Sequence, residues 1–286
     1  MKSKTVYGYF GHHKSASTWF EAICQDVCRD LGLDFGLFYD STYFDNDLER
    51  HLKSNPVDFV AYANADFLQI QNIKTIRGFH VVRDPRDIVV SAYFSHMYSH
   101  PTHAWPELIE YRNKLESKDI NDGLHMEIDF RKDQFDEMRS WSNLSNNEAI
   151  LDLKMEDITT QPYEQILKIF SFLGLVDNAD FTAEKRTRYF MSKIFSKIQN
   201  TLNLKLPFYV NKIPAERVLG IVWENSFEKK SGGRAPGVEN KNSHYRKGVP
   251  GDWVNYFTDE HIVHFKKSYN DLLIQYGYES DDKWCL

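Results

Sequence analysis

Four residues in "GYFGHHKSASTWF", positions 8 to 20, have the right types for binding an anion: Lys14, Ser15, Ser17 and Thr18. They follow an apolar run, Val6 to Phe10, and Gly11, and they precede a stretch with helical spacing. A strand, a tight turn and a helix start in that order point backbone N–H groups, and the positive end of the helix dipole, at one spot. Lys14 adds a full charge there and the hydroxyls add donors. The ATP-binding form of such a loop is G-x-x-x-x-G-K-[ST], with glycine before the lysine. Here that residue is His13, so the loop is shaped for something other than a triphosphate. The competing reading is a capped helix start with a solvated lysine.

Two further stretches carry cations in places where ligands bind. In "FHVVRDPRDIVVSAYFSH", residues 79 to 96, Arg83 stands at the C-terminal edge of an apolar strand and Ser91 lies two turns into the next helix. Ligands of open α/β sheets bind beyond the carboxyl ends of the strands, and an arginine there can grip a phosphate with two nitrogens. The alternative is a strand-end ion pair of Arg83 with Asp84 or Asp87. In "NSHYRKGVPGDWVNYFT", residues 242 to 258, Arg246 and Lys247 adjoin Gly248, which lets the backbone approach an anion closely. A solvated basic loop is the alternative there.

Taken in order, K-S-x-[ST]-T-W, V-R-D-P-R-D-x-x-V-S and R-K-G-x-x-G-D-W resemble the signature of the P-loop sulfotransferases, which use 3′-phosphoadenosine 5′-phosphosulfate (PAPS). "KMEDITTQP", residues 154 to 162, and "NSF", residues 225 to 227, extend the resemblance, which spans about residues 5 to 260. It implies that Lys14 contacts the bridging oxygen of the breaking ester. It also implies that Ser15, Ala16, Ser17 and Thr18 hold the 5′-phosphate, and that Arg83, Ser91, Arg246, Lys247 and Gly248 hold the 3′-phosphate. Trp19 and Phe227 would flank the adenine, and Met155 stands where cytosolic members have an adenine-contacting tyrosine. Asn225 replaces a threonine and Ala16 a glycine; a negative φ is therefore expected at Ala16. PAPS is the expected donor, adenosine 3′,5′-bisphosphate (PAP) the product, and no metal is required.

Sulfuryl transfer to a hydroxyl needs a base. In "SHMYSHPTHAW" the candidates are His100, followed by Pro101, then His96, then His103. The three fall at helical spacing, as in a zinc face, but Pro101 interrupts the helix, so no metal site is expected. His12 and His13 border the loop. Two other readings compete: a P-loop nucleotide or small-molecule kinase, which lacks its glycine at His13, and a non-catalytic binder of PAP, against which Lys14 speaks.

These residues need a rigid frame. Strand patterns at residues 4–10, 57–63, 78–82 and 150–153 alternate with helical ones at 18–31, 86–97, 163–173, 182–200, 214–223 and 259–276. That alternation predicts an α/β chain: a single P-loop-type domain over residues 1–286, with a central, mostly parallel sheet and helices on both faces. Residues 105–147 form a polar insertion without a family motif, assigned to the acceptor side. Residues 229–251 form a loop expected to cover the cofactor. The chain has 286 residues, a net charge of −6 and an aromatic content of 15%. An acidic balance excludes a broad nucleic-acid-binding face. Cys24, Cys28 and Cys285 make no disulfide framework, and Cys24 and Cys28 are expected as half-buried thiols on one helical face. With no run of apolar residues long enough to span a bilayer, the expectation is a cytoplasmic enzyme. It would act on a small-molecule, lipid or carbohydrate acceptor bearing a hydroxyl or amine. The dimer segment of the cytosolic members is not matched after Trp253.

Overall fold

Val6–Phe10 forms strand β1 and Ser17–Leu31 the helix α1 that follows it. β2 (Phe35–Phe38), α2 (Leu48–Ser54), β3 (Phe59–Tyr62), β4 (Ile76–Val82) and α3 (Pro85–Phe94) come next. α4 (Glu107–Glu116), α5 (Ile120–Phe130) and α6 (Lys132–Ser140) precede β5 (Ile150–Lys154), α7 (Met155–Thr160) and α8 (Pro162–Phe172). The chain ends with β6 (Val176–Asp177), α9 (Ala183–Leu202), β7 (Ile213–Pro214), α10 (Ala215–Glu224), α11 (Phe227–Lys230) and α12 (Asp259–Gln275). The structure, a computed structural model, describes residues 4–103, 105–177, 182–202 and 210–285.

Among the described residues the main sheet has five strands, all parallel, in the order β2-β3-β1-β4-β5. The chain leaves β1 toward one edge for β2 and β3, then returns to its other side for β4, so the crevice beside β1 is the topological switch point. The expected single α/β domain is what forms. β1 shows why the sheet is covered on both faces. Tyr9 packs with Phe20, Phe79 and helices α1, α8 and α10 on one side, while Phe10 packs with Val60, Tyr62 and Trp141 on the other. Strands buried on both faces read as nearly continuous apolar runs, as in FVAY and IRGFHVV. β1 and β4 approach closely at Gly8 and Gly78: a Cβ on Gly78 would sit 2.7 Å from the Gly8 carbonyl oxygen.

Three details differ from the sequence reading. β2 had no strand signal in "FGLF" beyond its aromatics, and its pairing with β3 is tertiary. The polar insertion is helical, and its buried residues Leu115, Leu124, Ile128, Phe135 and Met138 join α3 and α12 in a second core. Cys24 and Cys28 are fully buried rather than half-buried, because α1 lies under α8 and α10.

Candidate anion-binding active site

The turn after β1 curls tightly. Lys14 has φ 68° and Ala16 φ 61°, so the expectation of a negative φ at Ala16 is wrong. A left-handed residue costs roughly 1–2 kcal/mol for a side chain with Cβ. Alternating it with ordinary backbone turns successive N–H groups inward, which makes an anion-binding concavity. The Ser15 N–H donates to the His12 carbonyl (3.0 Å) and the Ser17 hydroxyl donates to the same oxygen (3.1 Å), closing the turn. The Ser15 hydroxyl is buried and has no partner within the protein. Thr18 is exposed and its hydroxyl meets His244 Nε2 at 3.1 Å.

The cations converge on this turn. Arg83, just past β4, donates through Nη1 to the Lys14 carbonyl (2.9 Å), and its buried Nε has no partner. The ion pair foreseen for Arg83 is with Asp87 and loose, at 3.7 Å; Asp84 instead pairs with Arg86 at 2.7 Å. Lys14 keeps part of its surface open, yet burial, followed by the charges of Arg83, Arg131 and Arg246, lowers its ammonium from 10.5 to about 7, with Glu127 opposing. A lysine half-discharged by burial and by neighbouring cations, beside buried donors without partners, is a site suited to take counter-charge from a ligand. The site therefore fits a multiply charged anion.

The third motif is built around Asp252, whose carboxylate takes Arg246 and Lys247 together. Arg246 also pairs with Glu239 and lies 4.6 Å over the Phe94 ring, three residues beyond half-buried Ser91. Gly248 has φ 70°, and a Cβ there would meet the Phe227 ring at 2.5 Å. Residues 231–247 fold around the Arg234 guanidinium, which donates to the carbonyls of Val238 (2.9 Å), Tyr245 and Arg246 (3.0 Å). Trp19 rests on Phe20, ring centres 5.0 Å apart, and Met155 is buried in the first core.

The insertion supplies residues that the sequence reading missed. Arg131, on the turn between α5 and α6, donates to His13 Nδ1 (2.9 Å), and Gln134 donates to the His13 carbonyl (2.6 Å), clamping the lysine loop from above. Glu127, fully buried on α5, accepts from His96 Nδ1 and from the Tyr111 hydroxyl, both at 3.0 Å. Their signal was a run of polar residues at helical spacing, Glu127, Arg131 and Gln134, in a segment that otherwise buries apolar ones.

The histidines are sorted by this framework. α3 ends at Phe94 and the chain continues as a π turn, Ser95–Ser99, which swings His96 inward and then stops before Pro101. His96 is fully buried; burial, partly offset by Glu127, lowers it to about 4. His100 is half-buried, donates Nδ1–H to the Pro101 carbonyl (2.9 Å), and is lowered by burial. His103 is exposed. His13 stacks on His96 with ring centres 5.6 Å apart. His12 belongs to the frame: it is buried beneath the loop with Nε2 2.8 Å from His80 Nε2, whose Nδ1 meets Asp152 at 2.8 Å. Trp105, Tyr111 and Phe130 wall the His96 side, Tyr111 and Phe130 stacking at 3.9 Å.

A parallel sheet with a lysine turn at its switch point, arginines at the next strand end and a basic glycine loop across it defines an α/β protein that holds a phosphate-bearing ligand. The family is then given directly. A family model described as a sulfotransferase domain matches residues 67–277, well over half of the chain, and the chain belongs to the sulfotransferase family. That match begins after the lysine turn, so the turn's role rests on its geometry. Two similar solved structures are mouse sulfotransferase SULT7A1 complexed with PAP and retinol dehydratase in complex with androsterone and PAP. The first has 18% identity over 95% of this chain and 84% of that one, with a TM-score of 0.55. The second has 15% identity over 96% and 82%, with a TM-score of 0.51. At such identities the likeness is one of fold. Among the described residues no helix is long and apolar enough to cross a membrane.

Proposed function

We propose that this sulfotransferase moves a sulfuryl group from PAPS to the hydroxyl or amine of a small-molecule, lipid or carbohydrate acceptor, releasing PAP. The observation that carries the reading is the Lys14 ammonium, lowered to about 7 by burial and by Arg83, Arg131 and Arg246, beside the unpartnered Ser15 hydroxyl and Arg83 Nε. Bound, PAPS supplies a sulfuryl group on a phosphate leaving group. Lys14 would lie against the bridging oxygen and take up the negative charge that grows there. The loop from Ser15 to Thr18 would hold the 5′-phosphate, and Arg83, Ser91, Arg246, Lys247 and Gly248 the 3′-phosphate, with Trp19, Met155 and Phe227 around the adenine. Because turn and cations are fixed before binding, little reorganisation accompanies the charge shift, which is how such sites accelerate group transfer. A histidine of the cluster beside Lys14 takes the acceptor proton. The walls formed by Trp105, Tyr111 and Phe130 suit a flat or apolar acceptor body.

The test is calorimetric titration with PAP, then transfer of radiolabel from PAPS to a panel of 4-nitrophenol, 1-octanol, octylamine and octyl glucoside in buffer containing EDTA. Binding of PAP and labelling of at least one acceptor with EDTA present are expected. Binding of ATP in preference to PAP, with turnover abolished by EDTA, would favour the kinase reading. PAP binding with no labelled product and no effect of Lys14→Ala on binding would favour a non-catalytic binder. Absence of both PAP binding and transfer refutes the reading.

A further inference from the structure

Hydrogen bonding assigns tautomers to the histidines beside Lys14. An arginine only donates, so Arg131 Nη1 at 2.9 Å makes His13 Nδ1 an acceptor and puts the neutral His13 proton on Nε2. The Glu127 carboxylate only accepts, because the adjacent His96 and Arg131 hold it below the usual carboxylate range against the opposing effect of its burial. His96 Nδ1 must therefore carry the proton shared at 3.0 Å, leaving a lone pair on Nε2. That Nε2 atom is buried and has no partner within the protein. His13 thus presents a donor, and His96 a bare acceptor, on stacked rings next to Lys14.

We infer that Glu127 is a positioning residue for catalysis: it fixes His96 with Nε2 unprotonated and so makes His96, rather than His100, the group that accepts the acceptor's proton. This rests on the reading of the site as a PAPS-dependent transferase. The step balances simply. The acceptor oxygen bonds to sulfur as the bond from sulfur to the bridging oxygen breaks, and the hydroxyl proton moves to His96 Nε2. The imidazolium formed there faces an ionised carboxylate that Tyr111 (3.0 Å) and Arg131 (2.9 Å) already hold in place. A histidine oriented by a carboxylate is the arrangement that activates hydroxyls elsewhere. His100 has no such partner: its Nδ1–H meets only the neighbouring carbonyl of Pro101, and its ring is half-exposed. The groups facing His96 are Glu127, Arg131, Lys14, Tyr111, His13 and His100. Burial is the main reason its basicity is low, and the two cations among them add to it. An anion that neutralises Lys14 and Arg131 removes the cations' share, so the base strengthens as the donor site fills.

The experiment is nitrogen NMR of the full chain labelled at histidine, with and without PAP, on the wild type, Glu127→Gln and His96→Asn. The wild type should show His96 protonated at Nδ1 and bare at Nε2, and saturating PAP should raise its titration midpoint. In Glu127→Gln the amide donates to Nδ1 instead, and the proton should move to Nε2. Turnover with the acceptor found in the panel should then fall about 10³-fold or more, as when the orienting carboxylate of a triad becomes an amide. PAP affinity should stay within threefold. Glu127→Asp should recover part of the rate, and His100→Asn should retain most of it. Should Glu127→Gln fail to fold, the pair His96→Asn and His100→Asn decides: large loss in the first alone supports the proposal, and loss confined to the second overturns it. A wild-type His96 carrying its proton on Nε2, or Glu127→Gln turning over within threefold of wild type, also overturns it, even where PAP binds normally. Failure of the wild type to bind PAP refutes the donor assignment instead, and leaves the tautomer result to be read separately.

Discussion

Binding of PAP should draw a proton from solvent, and the pH at which it does so follows from Lys14. In the free chain the ammonium titrates near 7, against 10.5 for an ordinary lysine. A dianionic phosphate beside it restores the ordinary value, so above pH 7 binding must first recharge the side chain. At pH 6 Lys14 is already charged and takes up little of a proton itself; at pH 8 it takes up about nine-tenths of a proton per PAP bound. The phosphate groups have second pKa values of about 6 and are fully ionised above 7.5. His13, His96, His100 and His244 are all lowered by burial and are neutral there. From pH 7.5 to 9 the dissociation constant should therefore rise about 25-fold through Lys14 alone. Calorimetry in HEPES and in Tris, whose ionisation enthalpies differ, measures the uptake directly. Lys14→Arg keeps its charge at every pH tested and should bind PAP with no such slope. A flat dissociation constant in the wild type, with equal heats in both buffers, would refute the claim that cations and burial discharge this lysine. The same shift acts on stability with a definite sign. Because the folded value lies below the unfolded one, the unfolded chain holds more protons between pH 7 and 10, and this group's contribution to stability rises with pH across that window. At pH 6 the folded chain carries the whole cost of the confined charge. Lys14→Met should thus stabilise the ligand-free protein there, by about 1 kcal/mol once solvent screening of a half-open side chain is allowed for, while abolishing transfer.

Ala16→Gly should raise the melting temperature by about 1–3 °C, since relief of the left-handed conformation at φ 61° slightly exceeds the added chain entropy of glycine; scanning calorimetry measures it, and a decrease would contradict the strain argument. Arg246→Ala should weaken PAP binding about 10–100-fold through loss of a charge-assisted contact, read by calorimetry, with no change expected if Arg246 merely serves Glu239 and Asp252. Gly248→Ala should weaken PAP binding at least as much as Arg246→Ala, because its methyl must displace the Phe227 ring from 2.5 Å and its φ of 70° disfavours a side chain; binding equal to wild type would show that this backbone does not approach the ligand.

The strands β1, β3, β4 and β5, half of the helices and the lysine turn were legible because each is written locally: apolar runs for β1, β3 and β4, a glycine stop after α1, and Pro85 opening α3. Lys14, Arg83 and Arg246 were legible as cations at strand ends and in a glycine loop, and the fold brings them together. What the sequence hid depends on contacts distant in the chain. Glu127 and Arg131 gain meaning only when α5 packs on α3 and Arg131 meets His13 in the turn after β1, 118 residues away in the chain. The sequence ranks His100 above His96 through the visible His100-Pro101 dipeptide, whereas the π turn that buries His96 has no sequence mark. The positive φ at Ala16 was misread because alanine disfavours it; the turn imposes it through the closures on the His12 carbonyl.

Much of the charge in these motifs is paired within the protein, and its placement explains how a cluster of like charges survives folding. Asp87 accepts the backbone N–H groups of Gly251 (2.7 Å) and Trp253 (2.9 Å), so the second motif holds the third at a fixed distance. Arg86 is locked between Asp84 and Glu279 and lies 4.0 Å over Trp253. Glu156 accepts the Asp84 N–H (2.9 Å) and the Tyr278 hydroxyl (2.8 Å), tying the helix after β5 to the start of α3. Asp252 and Glu239 fix Arg246 from the side. Each carboxylate anchors backbone or cation at the periphery, and together they position Lys14, Arg83 and Arg246 without neutralising the ammonium itself. A carboxylate placed directly on Lys14 would stabilise the free chain but would compete with the phosphate for the same charge. Peripheral anchoring leaves Lys14 to shed its proton near neutral pH until an anion enters and recharges it.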